Sequence, residues 1–341
     1  MLEHGGNLRQ AALEYDIPLE DWLDLSTGIN PNGWSVPNIS AAAWQQLPQD
    51  NDGLELSAQQ YYGAPSLLAV AGSQAAIQVL PRLRPQGTVG ILSLSYAEHR
   101  HNWQQQGHKI IELNVDEIES HLSELDVLLL VNPNNPTGIR YTVSQLLLWH
   151  TNLAERNGWL VVDEAFMDST PENSLSHFSD RPGLIVLRSL GKFFGLAGVR
   201  CGFVLAEKPL LEQLREYLGP WTLPGPSREV AQQVLCDINW QITMRDQLRN
   251  AGERLKDLLE CYSLNPEGDV DLFKWFKHPA AKLIQSSLAR QGILVRYFDK
   301  PASLRLGLPK TEKDWVQLDV ALENTIHEIR GRKITNESMA V

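Results

Sequence analysis

Between Ser189 and Arg200 the chain reads SLGKFFGLAGVR, with Lys192 set among Gly191, Phe193, Phe194 and Leu196 and Arg200 eight positions on. Burying an ammonium among apolar neighbours is costly. Either the lysine stem reaches solvent, or the amine is kept at a lowered pKa, which makes it a nucleophile able to form an imine. Three other polar motifs offer matching chemistry: GSQ at 72–74, NPNNPTG at 132–138 and DEAF at 163–166. A helix opening on Gly72, Ser73 and Gln74 presents backbone N–H groups and a positive dipole end to a phosphate. Ser189 and Arg200 add a hydroxyl and a planar cationic donor. Asp163 can hold a protonated ring nitrogen; at an effective dielectric of about 20, charges about 4 Å apart gain roughly 4 kcal/mol. Each motif has a plainer reading. Lys192 can be a surface lysine, Asp163 a helix cap, and NPNNPTG a turn, which Asn, Pro and Gly favour for backbone reasons alone. Together, a phosphate cup, an acid for a ring nitrogen and an imine-forming lysine describe a site for pyridoxal 5′-phosphate (PLP).

These motifs need elements that bring them together. Near-continuous apolar runs at 67–72, 88–94, 125–132, 158–163, 183–190 and 201–206 read as strands, and most alternate with amphipathic stretches such as 73–83, 97–107 and 142–158. Thr142 with Gln145 makes a capping box and Gly158 a helix stop. The alternation predicts an α/β domain with a mostly parallel central sheet covered by helices on both faces. The polar motifs follow the strands at 67, 125, 158 and 183, so they fall at the carboxyl ends, where open sheets bind ligands. After residue 208 long helical stretches precede strand candidates at 269–276, 292–298 and 302–308. A final helix from Thr311 carries Trp315, Leu318, Leu322, Ile326 and Ile329 on one face. That texture predicts a smaller α+β domain. The expected division is an N-terminal arm and part of the small domain over 1–35, a large domain over 36–210, and linking helices with the small domain over 211–341.

Composition narrows the partners. Asp and Glu outnumber Lys and Arg by 41 to 30, a formal net charge of −11, and no long basic stripe exists, which argues against nucleic acid. The longest aliphatic stretch, VLLLV at 127–131, is far short of a membrane span. The start MLEHGGNLRQ lacks the pattern of a secretory signal. Cys201, Cys236 and Cys261 show neither a disulfide framework nor zinc spacing, so no metal is expected and a reducing cytoplasm is.

NPNNPTG, DEAF and S-x-x-K followed by arginine resemble the motifs of the fold-type I, PLP-dependent aminotransferase superfamily, and the likeness extends over nearly the whole chain. Within it, HGGN at 4–7, STGINPNG at 26–33 and the stretch from Tyr61 to Leu83 are similar to the branch that decarboxylates threonine phosphate in cobalamin biosynthesis. Histidinol-phosphate aminotransferases share the same core. The resemblance implies that Lys192 carries the cofactor, Asp163 faces its ring nitrogen and Asn135 its phenolic oxygen. Tyr96 stacks on the ring, His99 supports Asp163, and Gly72, Ser73, Gln74, Ser189 and Arg200 hold the phosphate. Lys192, Asp163 and Tyr96 are the implied catalytic set. Arg305 grips the substrate carboxylate, with Asn135, His4, Asn7 and Asn30 as further substrate contacts. Two positions depart from the pattern: Phe166 stands where many relatives have tyrosine, and Leu47-Pro48 where histidinol-phosphate enzymes have Tyr-Pro, with Tyr61 or Tyr62 as possible substitutes. The implied activity is decarboxylation of L-threonine O-3-phosphate to (R)-1-amino-2-propanol O-2-phosphate by a homodimer. The alternatives are an aminotransferase acting on histidinol phosphate or a similar substrate, and a ligand sensor without catalysis.

Overall fold

The computed structural model describes residues 4–338. Its strands, in chain order, are β1 Leu23–Asp24, β2 Leu67–Val70, β3 Thr88–Leu92, β4 Lys109–Leu113, β5 Val127–Val131, β6 Trp159–Asp163, β7 Leu184–Ser189, β8 Gly202–Leu205, β9 Phe273–Lys277, β10 Ile293–Leu294, β11 Arg296–Phe298 and β12 Ser303–Gly307. The chain forms two compact units: Gly33–Asp246, and the described residues up to Asn32 together with those from Gln247 on. The division falls inside the helix Ile238–Cys261. The helices Lys208–Leu218 and Gly225–Cys236 therefore group with the large sheet, where the sequence pointed to a boundary near 210.

The larger unit is built on a seven-stranded sheet of order β2-β8-β7-β6-β5-β3-β4. Strands β4, β3, β5, β6 and β7 run parallel, while β8 lies antiparallel between β7 and β2. Every residue of β2, β5 and β8 is buried. Such two-sided burial is why these strands read as unbroken apolar runs. Thr142 and Gln145 form the expected reciprocal cap of the helix Val143–Ala154. Within this sheet the strand not foreseen, β4, is an edge paired with β3. Its sequence KIIEL is half exposed, and charges on an edge strand break the apolar signal.

The register explains how the motifs meet. Val131, Asp163 and Leu187 are aligned across β5, β6 and β7, and Ser189, Gly202 and Val70 across β7, β8 and β2. The carboxyl ends of β2, β5, β6 and β7 thus lie along one edge.

The smaller unit has an antiparallel sheet β11-β12-β9 and a parallel pair of β1 with β10. The first residues are more regular than expected. The helix Leu8–Tyr15 buries Ala11 in a cluster with Trp22 and Ala289. The run at 292–298 is not one strand but two, β10 and β11, divided at Val295. On the last helix, Trp315, Leu318, Leu322 and Ile326 are buried as the spacing predicts.

Gly202 marks a tight crossing at the sheet edge. A Cβ there would lie 2.6 Å from the Ser73 nitrogen and 2.8 Å from the Arg188 carbonyl oxygen, both backbone atoms. Overpacking of this kind costs about 1–3 kcal/mol. Gly202→Ala is expected to lower the urea midpoint accordingly, whereas Gly198→Ala, with open space around it, leaves it unchanged.

Candidate active site

Asp163 ends β6 and is only 4% exposed. Its Oδ2 lies 2.9 Å from Nε2 of the buried His99, and its Oδ1 accepts the Ala165 N–H at 3.0 Å. His99 comes from the helix Ala97–Gln105, whose first turn follows Tyr96. The Tyr96 ring meets the His99 ring edge-on at 5.9 Å. Burial, with Glu98 and Asp163 adding to it, pushes the Tyr96 phenol up to about 12, so it stays protonated at neutral pH. Glu98 also accepts from the Gln74 amide at 2.9 Å, which turns the Gln74 carbonyl toward the Tyr96 hydroxyl.

Asn135 sits in a loop fastened from both sides. Fully buried Asn134 donates to the Leu94 carbonyl and to Thr137 Oγ1, and accepts from the Ser95 hydroxyl at 3.1 Å. Asn132 exchanges two hydrogen bonds with the Tyr141 backbone. Asn134 ties the loop to the segment that carries Tyr96.

Around the start of the helix Ser73–Val79, Gly72 has φ +73°, and a Cβ there would come within 2.6 Å of Arg200 Nη2. The guanidinium therefore lies directly against the Gly72 backbone. Arg200 itself is left-handed and donates to the Ala197 carbonyl. Ser189 is aligned with Gly202, and its hydroxyl accepts from the Gly191 N–H. Gly72, Ser73, Ser189 and Arg200 thus gather at one corner of the sheet edge, with Gln74 turned toward Tyr96.

Lys192 is half-buried, with its ammonium 5.3 Å from the centre of the Phe166 ring. The apolar run around it has a packing cause. Phe193 and Phe194 are fully buried, and both rings contact Trp240. Tyr61 packs edge-on against Phe194 and donates to Asp168, while Tyr62 lies under the Arg188 guanidinium. Both tyrosines are therefore engaged within their own unit, whereas Leu47 is 65% exposed.

The remaining candidates belong to the smaller unit. Arg305 on β12 is buried and donates to the Ser26 carbonyl. Burial, and then Arg296 directly opposite on β11, lower its pKa to about 10 against the pull of Asp24. The Ser26 hydroxyl donates to Asp24 and accepts the Gly6 N–H at 2.7 Å. At Gly5 a Cβ would overlap the Ser26 carbonyl oxygen. HGGN, STG and SLRLGL thus converge on Ser26. Beside them opens a cavity of about 650 Å³ whose lining includes His4, Asn7, Ser26, Lys282, Arg296 and Tyr297. Asn30 is buried, and its side-chain oxygen accepts the Asn32 N–H, an Asx turn.

Removing the imidazole leaves a buried carboxylate short of a partner, at a cost of about 1–3 kcal/mol. His99→Phe is expected to destabilise the protein by that amount in urea denaturation, and His99→Gln, which can still donate, by less.

A family model described as aminotransferase class I and II matches residues 21–322. The chain is 56% identical over 322 residues to the threonine-phosphate decarboxylase of Pseudomonas aeruginosa, covering 94% of this chain and 97% of that one. A second threonine-phosphate decarboxylase, from a Sinorhizobium species, is 39% identical over 89% of this chain and 92% of its own length. Among solved structures, the histidinol-phosphate aminotransferase of Clostridium acetobutylicum superposes with a TM-score of 0.80 at 20% identity, over 90% of this chain and 99% of that one, a likeness of fold. The chain belongs to the aminotransferase class I and II family.

Proposed function

We propose that this protein is a PLP-dependent enzyme that decarboxylates L-threonine O-3-phosphate to (R)-1-amino-2-propanol O-2-phosphate in cobalamin biosynthesis. The observation that carries the substrate and reaction is the full-length kinship to threonine-phosphate decarboxylases at 56% identity. The residues present fit the cofactor: a side chain at Gly72 would fill the space beside Arg200, and bare backbone with a guanidinium suits a phosphate dianion.

In this reading Gly72, Ser73, Gln74, Ser189 and Arg200 hold the cofactor phosphate, Asp163 the ring nitrogen, Asn135 the ring oxygen and Tyr96 the ring face, while Lys192 is the covalent anchor. Bound there, PLP supplies the electron sink that lets a bond to the substrate's Cα break. Asp163, kept in register by His99, holds the proton on the ring nitrogen. The Lys192 amine returns a proton to Cα. Neutral Tyr96 offers a flat face without a competing charge.

Arg305 and Arg296 face each other across β12 and β11. Like charges in that position repel, and anions relieve the repulsion. Threonine phosphate brings two, a carboxylate for Arg305 and a phosphate for the cavity carrying Arg296, Lys282, His4 and Asn7. Asn30 acts through the turn it closes. The family kinship further supports a homodimer, with exposed Trp44, Leu47 and Trp221 of the larger unit as apolar area for a second copy. A cytoplasmic location is consistent with three free cysteines.

Purified protein supplied with PLP is expected to release carbon dioxide from threonine phosphate without any 2-oxo acid. Borohydride should fix a pyridoxyl mass on Lys192, and Lys192→Ala should lose both. No carbon dioxide, alongside 2-oxoglutarate-dependent turnover of histidinol phosphate, would reverse the assignment. Arg305→Met is expected to raise KM for threonine phosphate at least tenfold, as loss of a charge-assisted bidentate contact worth about 1.5–3 kcal/mol implies; an unchanged KM removes Arg305 from the substrate site.

A further inference from the structure

One cluster of ionised side chains lies beneath the edge that carries the candidate cofactor residues. Arg188, the residue before Ser189 on β7, is 1% exposed, and Glu164 and Asp168 are fully buried. Arg188 Nη1 donates to Glu164 at 2.7 Å and to Ser174 Oγ at 3.0 Å, and Nη2 donates to Asp168 at 2.7 Å. Glu164 also accepts from the Leu175 N–H and the Ser174 hydroxyl. Asp168 accepts from the Tyr61 hydroxyl at 3.0 Å, and Arg245 binds both the Asp168 carbonyl and that hydroxyl. Arg188 thus bridges both carboxylates, and Arg245 fixes the Asp168 backbone beside them. Burial pushes the Glu164 carboxyl above its ordinary range against the pull of Arg188.

Placement gives the cluster its meaning. Successive residues of a strand point to opposite faces. Asp163 turns to His99 while Glu164, whose N–H continues the ladder to the Leu187 carbonyl, turns to Arg188. Ser189 and Arg188 alternate in the same way on β7. The Glu164–Arg188 pair therefore joins β6 to β7 one residue away from both Asp163 and Ser189. From the same cluster Tyr61 packs against Phe194, two residues from Lys192. Buried ion pairs replaced by apolar side chains often leave stability unchanged or raised, so stability alone is a poor reason for such a cluster. Geometry is a better one.

We propose that Arg188, Glu164 and Asp168 are positioning residues that set the separation of Asp163, Ser189 and Lys192 for cofactor binding, an inference resting on the PLP reading above. The test compares the parent with Glu164→Gln and with the charge-free triple Arg188→Met/Glu164→Gln/Asp168→Asn. For each, three quantities are measured: the urea midpoint without cofactor, the Kd for PLP, and the pH midpoint of the bound cofactor's absorbance. The triple is expected to keep a cofactor-free urea midpoint close to the parent's, yet to bind PLP at least tenfold more weakly with a displaced pH midpoint. Glu164→Gln should show the same two changes, severalfold in Kd, and decides the matter if the triple does not fold. A folded variant with the parent's Kd and pH midpoint overturns the proposal. So does PLP affinity that falls only in step with the cofactor-free midpoint. A parent that takes up no PLP instead sinks the cofactor reading itself.

Discussion

A carboxylate removed from water must be given hydrogen-bond donors or a proton, and the larger unit is arranged around how Asp163 meets that requirement. Its hydrogen bonds with the His99 ring and the Ala165 N–H settle where the acid stands and also what must surround it. His99 requires the helix Ala97–Gln105 to begin where it does, and that places Tyr96 at the helix start. Asn134 then ties the loop of Asn135 to the residues just before Tyr96. In the proposed site, the segments assigned to ring face, ring oxygen and ring nitrogen are thereby locked to one another through His99 and Asn134.

The smaller unit solves a different electrostatic problem. Arg305 is buried, faces Arg296 across two strands, and has its charge disfavoured by both circumstances. Its guanidinium donates to the Ser26 carbonyl, a neutral acceptor, with Asp24 near. Gly5 and Gly6 are glycines for a related reason: the chain passes so close to Ser26 that a Cβ at Gly5 would overlap its carbonyl.

Much of this was legible in the sequence. Fully buried strands leave unbroken apolar runs, and the polar residues at their ends stand out against them, which is why Asp163, Ser189 and the 132–138 loop could be placed on one edge. The Lys192 paradox also resolves as posed, since Phe193 and Phe194 are apolar to fill the core against Trp240 while the lysine between solvent and core remains half-buried. The side chains that escaped notice have partners distant in sequence. Arg188 reads as a stray polar residue inside LIVLRSL, because Glu164 and Asp168 lie 24 and 20 residues away. Asn134 is indistinguishable from Asn132 and Asn135 within NPNNPTG. β4 lacks an apolar run because an edge strand does not need one, and the helix Leu8–Tyr15 hides because its apolar residues cover only a small cluster.

Phe166 shows how a departure from a family pattern can be read physically. The residue is 2% exposed, and its ring lies 5.3 Å from the Lys192 ammonium. Relatives with tyrosine there add a hydroxyl aimed at the cofactor's ring oxygen; phenylalanine keeps the wall and drops the donor. Two consequences follow for the proposed site. Asn135 carries the side-chain hydrogen bonding to that oxygen, so the firmness of its loop, fixed through Asn132 and Asn134, matters more than it would beside a second donor. The ring face also attracts the charged form of Lys192 through its quadrupole, by about 0.5–2 kcal/mol depending on desolvation. The aromatic wall left by Phe166 thus faces the amine of the proposed anchor directly.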